Sequence, residues 1–251
     1  MVTRTARRRA TAGRLAGLAL GIGVAWFLFT RPPAWLGLGQ ALAAPAFALC
    51  LLAGVILGEV RPRPDGPQRT ATLEVRDVGR YLPRALTRWL VAFLVTLAVF
   101  LVVTTAVGSP DDLGRPGRTL AVSCGPDVSR AAGPWPGSFY SLPIGLAVVF
   151  GLGAALMTAR FVAGRRRSED DDPAGDDAAR RRSTRLIVAA AGVLTAAPLA
   201  GCALLAGAAV RNVDCGGSWT PVLVGSCLAL AGAAALGAAA FASNVFFQTP
   251  A

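Results

Sequence analysis

Five cysteines are the residues whose chemistry depends most on where they lie in this chain. Cys124 and Cys215 each precede a glycine in a polar connection, whereas Cys50, Cys202 and Cys227 lie within long apolar stretches. Disulfides form where thiols meet an oxidising compartment, so we predict a Cys124–Cys215 bond, the alternative being two free thiols in mobile loops. The other three are typical of small apolar core side chains, although Cys202 and Cys227 are placed to come into contact.

Apart from the cysteines, the sequence lacks the residue types and motifs that enzyme active sites commonly use. The chain contains no histidine, which removes the usual general base and the commonest metal ligand. It also contains no Cys-x-x-Cys pair, no phosphate-binding Walker A sequence and no serine nucleophile elbow. We therefore predict no catalytic residue, no cofactor and no metal site, and we expect that the protein is not an enzyme.

Apolar stretches of helical length dominate the chain, 54% of which is hydrophobic. The clearest runs from Trp89 to Gly108 without a charge, an amide side chain or a proline, over the ~20 residues that a helix needs to cross a bilayer. A basic tail before the first apolar run resembles a secretory signal, but a second apolar run follows at once, so we expect a retained helix. The sequence predicts an all-α polytopic membrane helix bundle with six transmembrane helices.

These six spans form three predicted hairpins separated by polar segments. The predicted parts are a basic tail (1–14), hairpin 1 (15–58), an arginine-rich juxtamembrane segment (59–88), hairpin 2 (89–162) with an outer loop (109–140), a charged and disordered loop (163–185), hairpin 3 (186–244) and a closing tail (245–251). The loop 163–185 carries two triple-arginine blocks around six acidic residues and lacks apolar residues that could pack.

The net charge of +11 predicts orientation. All 25 basic residues are arginine, and 20 of them fall in the first tail and in the connections on the same side of the predicted spans. Positive charge is retained in the cytoplasm, so both termini are predicted to be cytoplasmic. Nucleic-acid binding is not expected, because it needs a basic face on a soluble fold rather than arginines that flank apolar spans.

Small residues spaced four apart predict where helices pack closely, and isolated polar residues mark where a cavity would lie. From their Ala and Gly content, we expect the fifth and sixth helices near the centre of the bundle and the third facing lipid. No charged residue occupies the middle of a span, so ion-coupling carboxylates are not predicted. The helix-packing candidates are Gly13, Gly17, Gly21, Ala147, Gly151 and Ala155, and the candidate cavity-lining polar residues are Gln40, Thr195 and Ser226.

Arginines in the juxtamembrane segment are candidates for contact with anionic lipid headgroups. The simpler interpretation is that they only anchor the topology by their positive charge. The four residues are Arg76, Arg80, Arg84 and Arg88.

In its arginine-only basic usage, its Ala- and Gly-rich spans and its EVRDVGRYLPR segment at residues 74–84, the chain resembles multi-pass integral membrane proteins of actinobacteria. The resemblance implies a bacterial cytoplasmic membrane and no particular activity. We expect a structural or accessory protein that binds a partner through its helices or outer loop, the partner being another membrane protein or a second copy. The alternative is a small-molecule transporter or permease subunit.

Overall fold

The computed structural model describes residues 4–31, 35–59, 78–164 and 173–247. Among them are six helices that are each long and apolar enough to cross a membrane. A one-turn helix over Val78–Arg80 precedes the third of these, and an antiparallel hairpin of β1 (Leu120–Ser123) and β2 (Ser129–Ala132) lies between the third and fourth. The six helices are α1 (Arg4–Phe29), α2 (Leu38–Glu59), α3 (Arg84–Ala106), α4 (Ser138–Ala163), α5 (Pro173–Asn212) and α6 (Thr220–Phe246).

The helices alternate in direction, so the bundle has two ends. The hairpin end holds the β1–β2 hairpin together with the α1–α2 and α5–α6 connections. The tail end holds the start of α1 and the end of α6, where Arg14 donates to the carbonyl of Val245 at 3.3 Å. Polar groups concentrate at these two ends, and the candidate site lies at the hairpin end.

Helix α5 forms the centre of the bundle, and 83% of the residues in its most apolar stretch are buried. Helices α2, α3, α4 and α6 all pack against it, while α1 packs mainly against α2. Leu186, Leu194 and Leu199 of α5 are fully buried in this core. The predicted central position of the fifth helix therefore matches the structure.

Helix α6 lies at the periphery, because only 11% of the residues in its most apolar stretch are buried. Its predicted central position is therefore wrong. Its buried side chains, among them Ala234 and Phe241, lie on one face towards α5, and Leu236 on another face is 74% exposed. Small residues allow close approach on one face without requiring a neighbour on the others. In helix α3, which is predicted to face lipid, 17% of the residues in the most apolar stretch are buried.

Glycines lie where helix backbones approach most closely. Gly13 and Gly17 of α1 face Gly54 of α2, and a Cβ atom added to Gly17 would lie 2.8 Å from the carbonyl oxygen of Cys50. Gly21 continues the same seam against Phe47. Along α4, Ala147 is half-buried, Gly151 lies against Leu194 of α5 and Leu49 of α2, and Ala155 is buried.

The predicted disordered loop 163–185 is helical over residues 173–185, which form the first turns of α5. Contacts with the end of α4 stabilise this part of the helix. The Arg180 guanidinium is 3% exposed, pairs with Asp176 at 2.7 Å and donates to the carbonyl of Ala163 at the end of α4. A buried cation thereby satisfies a carbonyl that the end of α4 leaves without a helical partner.

Candidate functional site

At the hairpin end, the connection between α3 and α4 is folded onto the bundle by a buried tryptophan. The side chain of Trp135 is 5% exposed, and its indole N–H donates to the carbonyl of Thr104 at 2.7 Å. The Thr104 hydroxyl in turn donates to the carbonyl of Pro136 at 2.7 Å. This reciprocal pair fixes the connection against the last turn of α3 and satisfies polar groups that are buried there.

Cys124 and Cys215 lie at disulfide-bonding distance with their Cα atoms 5.4 Å apart, as predicted. This cysteine pair lies between the turn of the β hairpin and the α5–α6 connection. Arg130 of β2 also donates to the carbonyl of Asp214 in that connection. The hairpin is therefore attached to the bundle at its tip as well as at its base.

A cavity of about 610 Å³ opens between this folded connection and the α1–α2 turn. We call it the arginine pocket. The residues that matter for its chemistry are Arg31, Trp35, Gln40, Asp111, Asp112, Arg115 and Arg118.

Asp111 organises the guanidinium groups on one side of the arginine pocket. Its carboxylate accepts a hydrogen bond from the side-chain Nε of Arg115 at 2.8 Å and another from Arg118, and it also accepts the backbone N–H groups of Leu113 and Arg115. Partial burial tends to raise the pKa of Asp111, but the hydrogen bonds from Arg115, Arg118 and Leu113 outweigh it and lower this pKa to about 2. Asp111 is therefore ionised at physiological pH.

Arg118 connects this carboxylate to the base of the pocket. Its Nε donates to the hydroxyl of Tyr140 at 3.4 Å, and its terminal nitrogen donates to the carbonyl of Leu36 at 3.4 Å. Tyr140 is 1% exposed and donates to the same carbonyl at 2.5 Å. Burial tends to lower the pKa of the Arg118 guanidinium, but Tyr140 and Asp111 raise it overall, so the group stays charged.

Arg31 reaches the pocket from the end of α1. Its guanidinium carbon lies 3.6 Å from the ring centre of Phe27 and 5.9 Å from that of Trp35, and its Nε donates to the carbonyl of Phe27 at 3.1 Å. Its two terminal nitrogens, like those of Arg115, make no hydrogen bond or ion pair with the residues that the structure describes. Arg31 and Arg115 therefore keep oriented N–H donors that no described residue accepts.

The three residues predicted to line a polar cavity are not brought together. Gln40 lines the arginine pocket. Thr195 is fully buried in α5 and donates to the carbonyl of Gly192 at 3.0 Å, whereas Ser226 is exposed on α6 and donates to that of Val222 at 2.9 Å. Thr195 and Ser226 thus satisfy their hydroxyls within their own helices.

The arginines predicted to meet lipid headgroups lie at the tail end. Arg76 falls outside the described residues. Arg80 ends the one-turn helix, Arg84 begins α3 and Arg88 follows one turn later, all three with exposed side chains. Their position suits the predicted contact with lipid headgroups, which remains a prediction.

Sequence reasoning missed the arginine pocket, although one signal was present. Arg31, Arg115 and Arg118 are three of only five arginines on the side of the predicted membrane where positive charge is rare. Arginines that occur where topology disfavours them are candidates for a local structural or binding role. The residues 31 and 115 come together only through tertiary packing, so their spacing carries no motif.

Comparison with protein-family models, curated proteins and solved structures finds no match for this chain. The folded connection that carries the Cys124–Cys215 pair and the arginine pocket are therefore the features from which a function can be proposed.

Proposed function

We propose that the chain is an accessory protein of a bacterial cytoplasmic membrane that binds a partner through the folded connection at its hairpin end. The observation that carries the proposal is the structure of residues 107–137, which form a hairpin fixed by Trp135 and by the Cys124–Cys215 pair. Connections between neighbouring helices in bundles need only about 2–8 residues. A longer segment that is folded and crosslinked is typical of a recognition surface.

The proposed orientation places the hairpin end outside the cytoplasm and both termini inside. Two independent features support it. A disulfide persists in an oxidising compartment, and the arginine count of 20 against 5 favours a cytoplasmic tail end.

Exposed apolar side chains at the hairpin end suit contact with a protein partner. Val122 on β1 and Val128 in the turn are 38% and 55% exposed, and Leu113 and Trp219 are 76% and 75% exposed. Solvent-facing apolar groups on an ordered surface are a common mark of protein interfaces. The partner is another membrane protein or a second copy of this chain.

Site-specific photocrosslinking in living cells tests the proposal. A photoreactive residue at Val122 should yield one crosslinked species of defined mass, whereas the same residue at Met157, which is 72% exposed on α4, should not. Mass spectrometry of the adduct would distinguish a second copy from another protein. Absence of a crosslink at Val122, or equal yields at both positions, would contradict the proposal.

A second candidate, a small-molecule transporter, is favoured by one observation, because the arginine pocket is a polar cavity that reaches Gln40 of α2. Beyond that cavity, the fully buried Leu194, Thr195 and Leu199 fill the centre of α5. Transport would require this core to open. A cysteine at Gln40 that reacts with polar reagents from both sides of the membrane would favour transport, and reaction from one side would favour a closed pocket.

A further inference from the structure

We propose that the arginine pocket binds a phosphate-type anion, either the headgroup of an anionic membrane lipid or a soluble phosphate ester. The pocket adjoins the surface proposed to bind a protein, but the anion site requires no protein partner. The two proposals can therefore fail separately.

Charge is the first argument. The pocket is lined by three arginines and two aspartates, which leaves one more cation than anions. Asp111 is saturated by Arg115, Arg118 and two backbone N–H groups. The other carboxylate, Asp112, is exposed to solvent, where its field is screened. An anion that enters the pocket thus meets a positive field.

Donor geometry is the second argument. The side-chain plane of Arg31 is fixed by its stacking on Phe27 at 3.6 Å and by its Nε hydrogen bond, and Arg115 is fixed by Asp111. Each keeps its two terminal nitrogens free of partners among the described residues. A guanidinium held in this way binds phosphate oxygens through paired N–H donors at little cost in side-chain entropy.

Position and size indicate the class of molecule. The volume of about 610 Å³ is suited to a headgroup or a small ester rather than to a bare ion. The pocket opens beside Trp35, at the end of α1 where Trp26 and Phe29 are 70% and 56% exposed. Tryptophans commonly lie at the level of lipid headgroups, so a lipid phosphate would reach the pocket from the bilayer while its acyl chains stay in the membrane.

The experiment uses the purified full chain with two probes, in parallel arms. In the first, native mass spectrometry measures retention of phosphatidylglycerol against phosphatidylcholine after exchange from mixed micelles. In the second, calorimetry measures binding of glycerol 3-phosphate. Each arm compares the wild type with Arg31→Gln and with Arg211→Gln, a matched control that removes an exposed arginine at the same end but outside the pocket.

The proposal expects wild type and Arg211→Gln to bind alike and Arg31→Gln to bind at least about tenfold more weakly, because one charge-assisted contact is lost. If this pattern appears in the lipid arm, the ligand is a lipid headgroup. If it appears in the calorimetric arm, the ligand is a soluble phosphate ester. Arg115→Gln is a second variant, used if Arg31→Gln elutes as an aggregate. Equal weakening by Arg211→Gln, or wild-type protein that prefers neither anionic probe, would overturn the proposal.

Discussion

Replacing Glu59 by alanine should destabilise the tail end of the bundle more than any change at an exposed charge. The carboxylate of Glu59 accepts a hydrogen bond from Arg14 at 3.3 Å and another from the hydroxyl of Ser183, so it joins α1, α2 and α5. Arg14 and Glu59 are each 8% exposed. Without the carboxylate, the buried guanidinium loses its counter-charge and Ser183 loses its acceptor. Removing one partner of a buried ion pair costs about 3–5 kcal/mol, and we expect a loss in that range.

Unfolding in mixed micelles, followed by circular dichroism as the fraction of denaturing detergent rises, measures this loss. Glu59→Gln is the matched control for volume, and it should be intermediate because it keeps an acceptor oxygen but no charge. The double variant Arg14→Met/Glu59→Leu should recover most of the stability, because an apolar pair of similar volume leaves no buried charge. A loss below about 1 kcal/mol in Glu59→Ala, the value typical of an exposed pair, or a double variant less stable than either single one, would show that the pair does not act as a buried ion pair.

Three further predictions concern the rest of the chain. In the wild-type protein, a polar maleimide should not label Cys124 or Cys215 until the protein is reduced, as non-reducing gels would show. Cys124→Ser should expose the Cys215 thiol to the maleimide. Unfolding curves should show that this variant loses at most about 4–5 kcal/mol of stability. Gly17→Ala should lower the free energy of unfolding by about 1–3 kcal/mol, because the added Cβ would lie 2.8 Å from a backbone oxygen. Gly23→Ala is the control and should cause no such loss, because a Cβ added there has nothing within 4 Å. Unfolding in denaturing detergent measures both. The pKa of Asp111 is lowered from 3.8 to about 2 in the folded protein, so its ionised form stabilises the fold above pH 3.8, and this stability is lost as the pH falls towards 2. The difference in thermal midpoint between wild type and Asp111→Asn should therefore be largest above pH 3.8 and should shrink as the pH falls through 2, and a difference that stays constant with pH would contradict this prediction.

The membrane-spanning helices could be predicted because each depends on composition over one continuous stretch. The predicted run from Trp89 to Gly108 corresponds to α3, which begins one turn earlier, at Arg84, and ends at Ala106. Hydropathy marks the apolar part of a span, whereas the backbone stays helical beyond it at the interface. The Cys124–Cys215 pair was predictable for a similar reason, since the direction of the spans alone places both residues at one end.

Features made by contacts between distant segments could not be predicted in this way. The helical start of α5 depends on Arg180 meeting the carbonyl of Ala163, and the charged composition of that segment favours disorder when it is considered alone. The arginine pocket depends on Arg31 and Arg115 lining one cavity although they come from separate connections. Composition could not place α6 either, because its small residues permit packing on every face while only one face has a neighbour.

The proposed topology has six membrane crossings with the hairpin end outside the cytoplasm. A maleimide too polar to enter cells, applied to intact bacteria, tests this with cysteines introduced at two exposed positions, Asp112 at the hairpin end and Arg181 at the tail end. If this topology is correct, Asp112→Cys is labelled in intact cells and Arg181→Cys is labelled only after lysis. Labelling of Arg181→Cys in intact cells, or protection of Asp112→Cys, would contradict it.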